Sequence, residues 1–138
     1  MTRFSRPLLA AVLLLPAAAS VAATLEVRVS NVAAGKGTVN VAVCDKERFL
    51  KQCLYSASAP ASAAETIVRI EGVPPGTWAV LAYQDVNENK ELDRNVLGIP
   101  KENYGFSRDA RGSFGPPGFE AAAIQVNGDM ATAAIKLR

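Results

Sequence analysis

The sequence contains no histidine and only two cysteines, which limits the catalytic groups and metal ligands that it can supply. Histidine is the commonest general base near neutral pH and a frequent metal ligand. A structural zinc site takes roughly four ligands, mostly cysteine and histidine, which two cysteines alone do not supply. We therefore predict that the protein is not an enzyme and that it holds no zinc.

The chain also lacks a large excess of either charge. Its 15 lysines and arginines stand against 13 aspartates and glutamates. Arg3 and Arg6 lie in the first 23 residues, so residues 24–138 carry 13 charges of each sign. Domains that bind nucleic acids usually carry a basic excess. We therefore predict no nucleic-acid partner.

The first 23 residues have the layout of a secretory signal peptide. Arg3 and Arg6 precede the apolar stretch 7–16, and small residues dominate 17–23. This order is typical of a cleavable signal, and we place cleavage after Ala23. An uncleaved membrane anchor would need roughly 20 apolar residues, more than this stretch has. We predict a periplasmic or secreted single domain, residues 24–138, without a transmembrane segment.

Cys44 and Cys53 both lie in the predicted mature chain. An even number of cysteines in an oxidising compartment favours a disulfide, which would close the charged segment 45–52. The competing interpretation is a metal or redox pair, but the spacing is not C-x-x-C. We predict a structural disulfide between these two residues.

Apolar and polar residues alternate in several short segments, which is the pattern of half-buried strands. Six strands are predicted in all, around the following residues: 25–29, 39–43, 67–70, 77–83, 121–126 and 131–137. Asn127-Gly128 between the last two predicts a hairpin. A single sheet would leave one apolar face in water. We therefore predict an all-β fold, specifically an antiparallel two-layer β-sandwich.

Residues 86–119 break the strand pattern and are predicted as one long loop. Loops of this length in compact domains are usually functional or disordered. Apolar residues such as Leu97, Ile99 and Phe114 favour an ordered loop that folds back onto the sheets. The segment 57–64, rich in alanine and serine, is predicted to be a flexible surface loop.

Residues 85–93, DVNENKELD, carry oxygen-bearing side chains at alternate positions. This spacing matches the first nine positions of a calcium-binding loop. The predicted ligands are the side chains of Asp85, Asn87, Asn89 and Asp93 and the backbone carbonyl of Glu91. Calcium is the one cofactor that we predict.

Two departures weaken the match. Lys90 stands at the sixth position, where a positive φ favours glycine and costs other residues about 1 kcal/mol. Val96 stands at the twelfth position, so Glu102 or Asp109 would have to supply the closing carboxylate. Affinity would be weak, on the order of 10⁻⁴ to 10⁻³ M. The alternative is a turn whose Asn and Asp side chains cap their own backbone, and both interpretations stay open.

Aromatic residues and prolines recur downstream of this loop. The predicted binding surface consists of Tyr104, Phe106, Phe114 and Phe119. A rigid surface of this kind can grip a partner or cover an open end of the sandwich. The partner that we predict is a protein or a glycan of the cell envelope. The second function considered is a small hydrolase or carbohydrate-active enzyme that uses carboxylates of the 85–119 loop.

Several blocks of the sequence resemble the exported bacterial proteins of unknown function called DUF2141. The resemblance covers essentially the whole mature chain and rests on Pro75-Gly76-Thr77, the Asp and Asn residues of 85–93, GIPKENYGFS at 98–107, Pro116, Pro117 and Phe119. It implies a β-sandwich of the prealbumin or immunoglobulin type, similar to transthyretin-like and carboxypeptidase-regulatory-like modules, which are mostly binding or structural domains. The family tends to carry His and Gly where this chain has Gln84 and Lys90, and these departures argue against tight metal binding.

Overall fold

The computed structural model describes residues 16–17 and 21–138. The part it describes contains eight strands, a 3₁₀ turn at Ser107–Asp109 and one short helix. The strands are β1 (Ala23–Ser30), β2 (Thr38–Cys44), β3 (Tyr55–Pro60), β4 (Thr66–Val73), β5 (Gly76–Asp85), β6 (Tyr104–Phe106), β7 (Ala123–Val126) and β8 (Met130–Lys136), and the helix is α1 (Phe119–Ala122). The all-β prediction is confirmed. No helix in this part of the chain is long and apolar enough to cross a membrane.

The strands form two sheets within the described residues. One sheet has the order β4-β1-β8, and the other has the order β3-β2-β5-β6, with β7 also paired to β5. The buried faces of both sheets contribute to one apolar cluster, which includes Leu25, Val41, Val80 and Ile135. Full burial of one such side chain stabilises the fold by about 1.5–3 kcal/mol. The alternation seen in the sequence therefore identified the residues that build the core.

The prediction of purely antiparallel pairing is wrong for one pair of strands. β8 runs parallel to β1, from the pair Thr24 and Met130 to the pair Ser30 and Lys136. The predicted hairpin at Asn127-Gly128 is also wrong, because β7 pairs with β5 while β8 pairs with β1. The turn therefore carries the chain from one sheet to the other. Gly128 supplies the positive φ of 71° that this turn uses.

The prediction of a flexible loop at 57–64 is wrong over its first half. β3 pairs antiparallel with β2, and Ala57 and Ala59 pack against the apolar cluster. Alanine, serine and proline have low strand propensity, so the local sequence gave little indication of a strand. Pairing with β2 sets the conformation instead.

The predicted disulfide between Cys44 and Cys53 is confirmed, with the two Cα atoms 4.6 Å apart. The bond closes a loop that carries Phe49 onto the outer face of the five-stranded sheet. There the Phe49 ring lies 6.1 Å from that of Phe106 and 5.7 Å from that of Phe119. These aromatic residues form a second, smaller apolar cluster with Ala79 and its neighbours. Both faces of β5 are therefore covered.

Backbone hydrogen bonds join the two sheets along one side. The amide of Tyr104 donates to the carbonyl of Arg138 at 3.1 Å, and the amide of Arg138 donates to the carbonyl of Tyr104 at 3.0 Å. At Gly105 an added Cβ would lie 2.5 Å from the carbonyl oxygen of Lys136. Only glycine therefore allows the end of β8 to approach β6 this closely.

The predicted signal peptide, residues 1–23, lies outside the described residues except for 16–17 and 21–23. Ala23 is the first residue of β1, where it is completely buried and pairs with Val73. Cleavage after Ala23 would therefore remove one residue from the beginning of this strand.

Candidate functional site

The candidate site lies at the end of the molecule where β5 ends and the β1–β2 loop begins. Gln84, almost completely buried, fixes this loop: its Oε1 accepts from the Ala33 amide at 2.9 Å. Its Nε2 donates to the carbonyls of Ala33 and Lys36 at 2.8 and 2.7 Å. Successive strand residues point to opposite faces, so Gln84 and Asp85 point in opposite directions. The residue at position 84 therefore does not contribute to the polar loop that follows.

Asp85 is a completely buried carboxylate that organises the turn after β5. Its Oδ1 accepts from the Asn89 amide at 3.2 Å, and its Oδ2 accepts from the Lys90 amide at 2.7 Å. The chain turns back through positive φ angles of 57° at Glu88 and 65° at Lys90. Lys90 thus has the left-handed conformation of the sixth position of a calcium loop.

Asp93 brings the side chains of the turn together. Its Oδ2 accepts from Asn87 Nδ2 at 2.6 Å, and its Oδ1 accepts from Asn89 Nδ2 at 2.8 Å. Asn89 Oδ1 in turn accepts from the amide of Glu91, whose own side chain is exposed, at 3.0 Å. The side chains of Asn87 and Asn89, both predicted as ligands, are therefore bonded to that of Asp93. The backbone amide of Asn89, which the Asp85 carboxylate and Asn87 Oδ1 share, connects Asp85 to this cluster.

Glu102 closes the cluster from the far end of the loop. Its Oε1 accepts from the Val86 amide at 3.0 Å, and its Oε2 accepts from the Asp93 amide at 3.1 Å. Of the two carboxylates considered for this role, only Glu102 bonds to the loop. The Asp109 carboxylate instead accepts from Arg138 at 2.8 Å and from Arg111 at 3.4 Å. The hydrogen bond from Arg138 is the main reason why the pKa of Asp109 lies below its ordinary value.

Negative charge concentrates beside Tyr83, which lies on the outer face of β5. Burial is the main cause that raises the pKa of Tyr83 above its ordinary value, and the nearby carboxylates raise it further. In order of effect they are Asp85, Glu102, Glu91 and Asp93.

The hydrogen bonds described above are those of a turn that caps its own backbone. Every carboxylate oxygen of Asp85, Asp93 and Glu102 already accepts one N–H group. The side-chain nitrogens of Asn87 and Asn89, rather than their oxygens, face Asp93. Within the described residues, no three Asp, Glu, Cys or His side chains form a group that could hold a metal ion. Calcium ligation would require the two asparagine side chains to rotate.

The four residues predicted as a binding surface do not lie on one exposed face. Phe106 is buried, so the prediction is wrong for this residue. β6 places Tyr104 and Phe106 opposite Tyr83 and Leu81, on the face covered by the smaller apolar cluster. The rings of Tyr104 and Phe119 are half-buried against that cluster. Phe114, by contrast, is fully exposed.

The long loop also departs from its prediction at residues 94–100. Leu97 and Ile99 were expected to fold back onto the sheets, but 79% and 56% of their surfaces are exposed. Val96 beside them is fully exposed. Sequence reasoning missed this exposed segment because an apolar residue carries the same signal whether it is buried or exposed.

Ser107 is a second structural residue that sequence reasoning did not identify. β6 and β7 pair with different parts of β5, and Val80 lies between these two pairings. The buried Ser107 hydroxyl accepts from the Val80 amide at 3.0 Å and donates to the Ala122 carbonyl. The hydroxyl therefore takes the place of the backbone carbonyl that a neighbouring strand would offer to the Val80 amide. A lone serine carries no sequence signal for this role.

The two sheets, their shared core and the self-capped polar loop define an all-β domain with one elaborated end. The family described as "Uncharacterized protein conserved in bacteria (DUF2141)" matches residues 27–134. The chain belongs to this family, which confirms the resemblance seen in the sequence. No curated protein and no solved structure matches the chain.

Replacing Ser107 by alanine tests the role of its hydroxyl. Ser107→Ala leaves the Val80 amide and the Ala122 carbonyl without this partner, and we expect a loss of about 2–3 kcal/mol in the free energy of unfolding. Chemical denaturation followed by the fluorescence of Trp78 measures it. Ser58→Ala, at an exposed position of β3, is the matched control and should change little. Equal stabilities of the two variants would contradict the assignment.

Proposed function

We propose that this chain is an exported, non-enzymatic β-sandwich domain of the prealbumin or immunoglobulin type that binds a partner in the cell envelope. Its binding end is the loop 85–103. One observation carries the proposal: hydrogen bonds from N–H groups to three carboxylates hold this loop in place, yet the loop exposes apolar side chains to solvent. An ordered loop with exposed apolar residues is the usual construction of a binding site on a rigid scaffold.

The disulfide supports export. Disulfides persist in the periplasm and outside the cell, whereas cytosolic thiols are kept reduced. The Cys44–Cys53 bond holds Phe49 against Phe106 and Phe119, so it contributes to packing. A structural bond of this kind fits a protein that works in an oxidising compartment.

The hydrogen bonding of the carboxylates supports a role in binding rather than catalysis. A pair of catalytic carboxylates in a glycosidase lies about 5–9.5 Å apart across one bond. Asp85 and Glu102 are near each other, but their oxygens accept backbone amides of the loop. Asp109 lies two residues after Ser107, whose hydroxyl contacts Val80 on β5. Val80 and Asp85 are five residues apart on this strand, which separates them by about 16 Å. These hydrogen bonds and positions support structural roles for the three carboxylates.

Photocrosslinking in cells tests the binding end. A photoreactive amino acid at Leu97 should form an adduct when the protein is exported with its native leader. The same substitution at Met130 is the control and should form no adduct. Met130 is exposed at the beginning of β8, which is the end of that strand away from the loop. Adducts at both positions, or at neither, would contradict a binding end at 85–103.

Weak calcium binding by residues 85–93 is a second candidate. Two observations favour it: the side chains of Asp85, Asn87, Asn89 and Asp93 meet in one cluster, and Lys90 has the required left-handed conformation. Rotation of Asn87 and Asn89 would turn their oxygens toward an ion. The carboxylates of Asp85 and Asp93 would then supply the charge.

Thermal unfolding with 10 mM calcium and with excess chelator tests this candidate. A dissociation constant of about 10⁻³ M stabilises the native state by about 1.4 kcal/mol, or roughly 5 °C in Tm. Asp93→Asn should abolish the shift, whereas Asp109→Asn, whose carboxylate lies outside the loop, should keep it. No shift in the unmodified protein would leave the loop as a capped turn.

A further inference from the structure

Residues 94–100, here called the apolar tip, form a small closed loop within the binding end. Arg94 and Pro100 form an isolated antiparallel bridge that closes its base. Between them Val96, Leu97 and Ile99 are largely or fully exposed. The tip thus presents three neighbouring apolar side chains on an ordered turn.

Four of the six backbone N–H groups of the apolar tip donate to oxygens of the tip itself. Asn95 Oδ1 accepts from the amides of Leu97 and Ile99 at 2.9 and 3.0 Å. The amide of Gly98 donates to the carbonyl of Asn95 at 2.9 Å, and the amide of Asn95 donates to the carbonyl of Ile99 at 2.9 Å. Exposed amides do not need such partners in water, but they do need them in an apolar phase. Fewer N–H groups of the tip therefore lose a partner when the tip leaves water.

The base of the apolar tip is fixed to the rest of the binding end. The amide of Lys101 donates to the carbonyl of Asp93 at 2.7 Å, and the Asp93 amide donates to Glu102. The guanidinium of Arg94 donates to the carbonyl of Gly98 at 3.0 Å. The three apolar side chains are thus held in place before any partner arrives, which lowers the entropy lost on binding.

The size of the apolar tip argues against a protein partner that it could hold alone. Stable protein interfaces bury about 800 Å² on each side, from some 20–30 residues. Three side chains on a narrow turn cover only a small part of such an area. A lipid surface needs no complementary shape, because the acyl boundary adapts to an inserted side chain.

Charges of both signs lie near the apolar tip, and the two cations next to it fit the same partner. Arg94 and Lys101 flank the tip and are exposed, so their cationic groups can reach lipid phosphates when the tip inserts. Asp93 and Glu102 accept N–H groups of the loop, and Glu88 and Glu91 are exposed in the same loop. Because the acidic side chains of the loop repel lipid phosphates, burial of the apolar side chains must supply most of the binding free energy.

We propose that the apolar tip inserts Val96, Leu97 and Ile99 into the headgroup–acyl boundary of a phospholipid bilayer and binds it weakly and reversibly. This inference rests on the proposed function, since it names the partner of the binding end. Binding is expected to change little with salt, because the insertion is apolar.

Co-sedimentation with vesicles of phosphatidylcholine and phosphatidylglycerol tests the proposal on the oxidised mature chain. Leu97→Asp and the double variant Val96→Asp/Leu97→Asp should lower the bound fraction about tenfold, since a charge must then enter the boundary. Met130→Asp, an exposed apolar residue changed to the same acid at the far end, should bind like the unmodified protein. Unfolding midpoints of all variants should agree, because the tip side chains lie outside the core.

Four results would overturn the lipid proposal. The first is that the unmodified protein does not sediment with vesicles, or that the tip variants sediment equally well. The second is that high salt releases the protein, which would indicate contact by charge alone. The third is concentration-dependent self-association that the tip variants abolish, which would make a second copy the occupant. A protein adduct at position 97 in cells, without vesicle binding, would overturn the lipid partner alone and leave the binding end intact.

Discussion

The buried carboxylate of Asp85 is the constraint on which the elaborated end of this protein depends. A buried charge is strongly destabilising unless hydrogen bonds replace the water it has lost. Asp85 obtains two of these bonds from the amides of Asn89 and Lys90, so the chain must turn back immediately after β5. That turn forces Glu88 and Lys90 into left-handed conformations that are unfavourable for their residue types.

Further hydrogen bonds from N–H groups to carboxylates fix the rest of the loop after Asp85. Asp93 gathers the asparagine side chains, and Glu102 joins the two ends of the loop through the amides of Val86 and Asp93. Within the apolar tip, Asn95 continues the pattern by accepting from the amides of Leu97 and Ile99. A surface loop with exposed apolar residues is therefore held in one conformation by polar groups, and the core of the sheets contributes only its anchor at β5.

Much of the fold could be predicted from the sequence because alternation identifies buried residues directly. The buried valines of β2 were assigned correctly on that basis, and the pair Cys44 and Cys53 on the even number of cysteines. Pairing partners could not be predicted, because alternation does not say which strand lies beside which. The parallel pairing of β1 with β8, and the change of sheet at Asn127-Gly128, both depend on contacts between distant parts of the chain.

The sequence predicted which side chains meet in the segment 85–93, but not the hydrogen bonds that they make. The spacing of DVNENKELD brought the expected side chains together, because an oxygen-rich turn suits both amide hydrogens and a cation. The sequence cannot say which of the two the oxygens contact. The aromatic residues posed a similar problem, since Phe106 is buried while Phe114 is fully exposed, and only the position of β6 beside β5 separates them.

Amide hydrogen exchange in the oxidised protein without calcium tests the central claim most directly. If the carboxylates bind their own loop, the amides of Val86, Lys90 and Asp93 should exchange much more slowly than those of an unstructured chain. Glu102→Ala should then release Val86 and Asp93 while Lys90, bonded to Asp85, stays protected. Free exchange at all three amides until calcium is added would contradict the account, because the ion and not the loop's own carboxylate–amide bonds would then order this end of the protein.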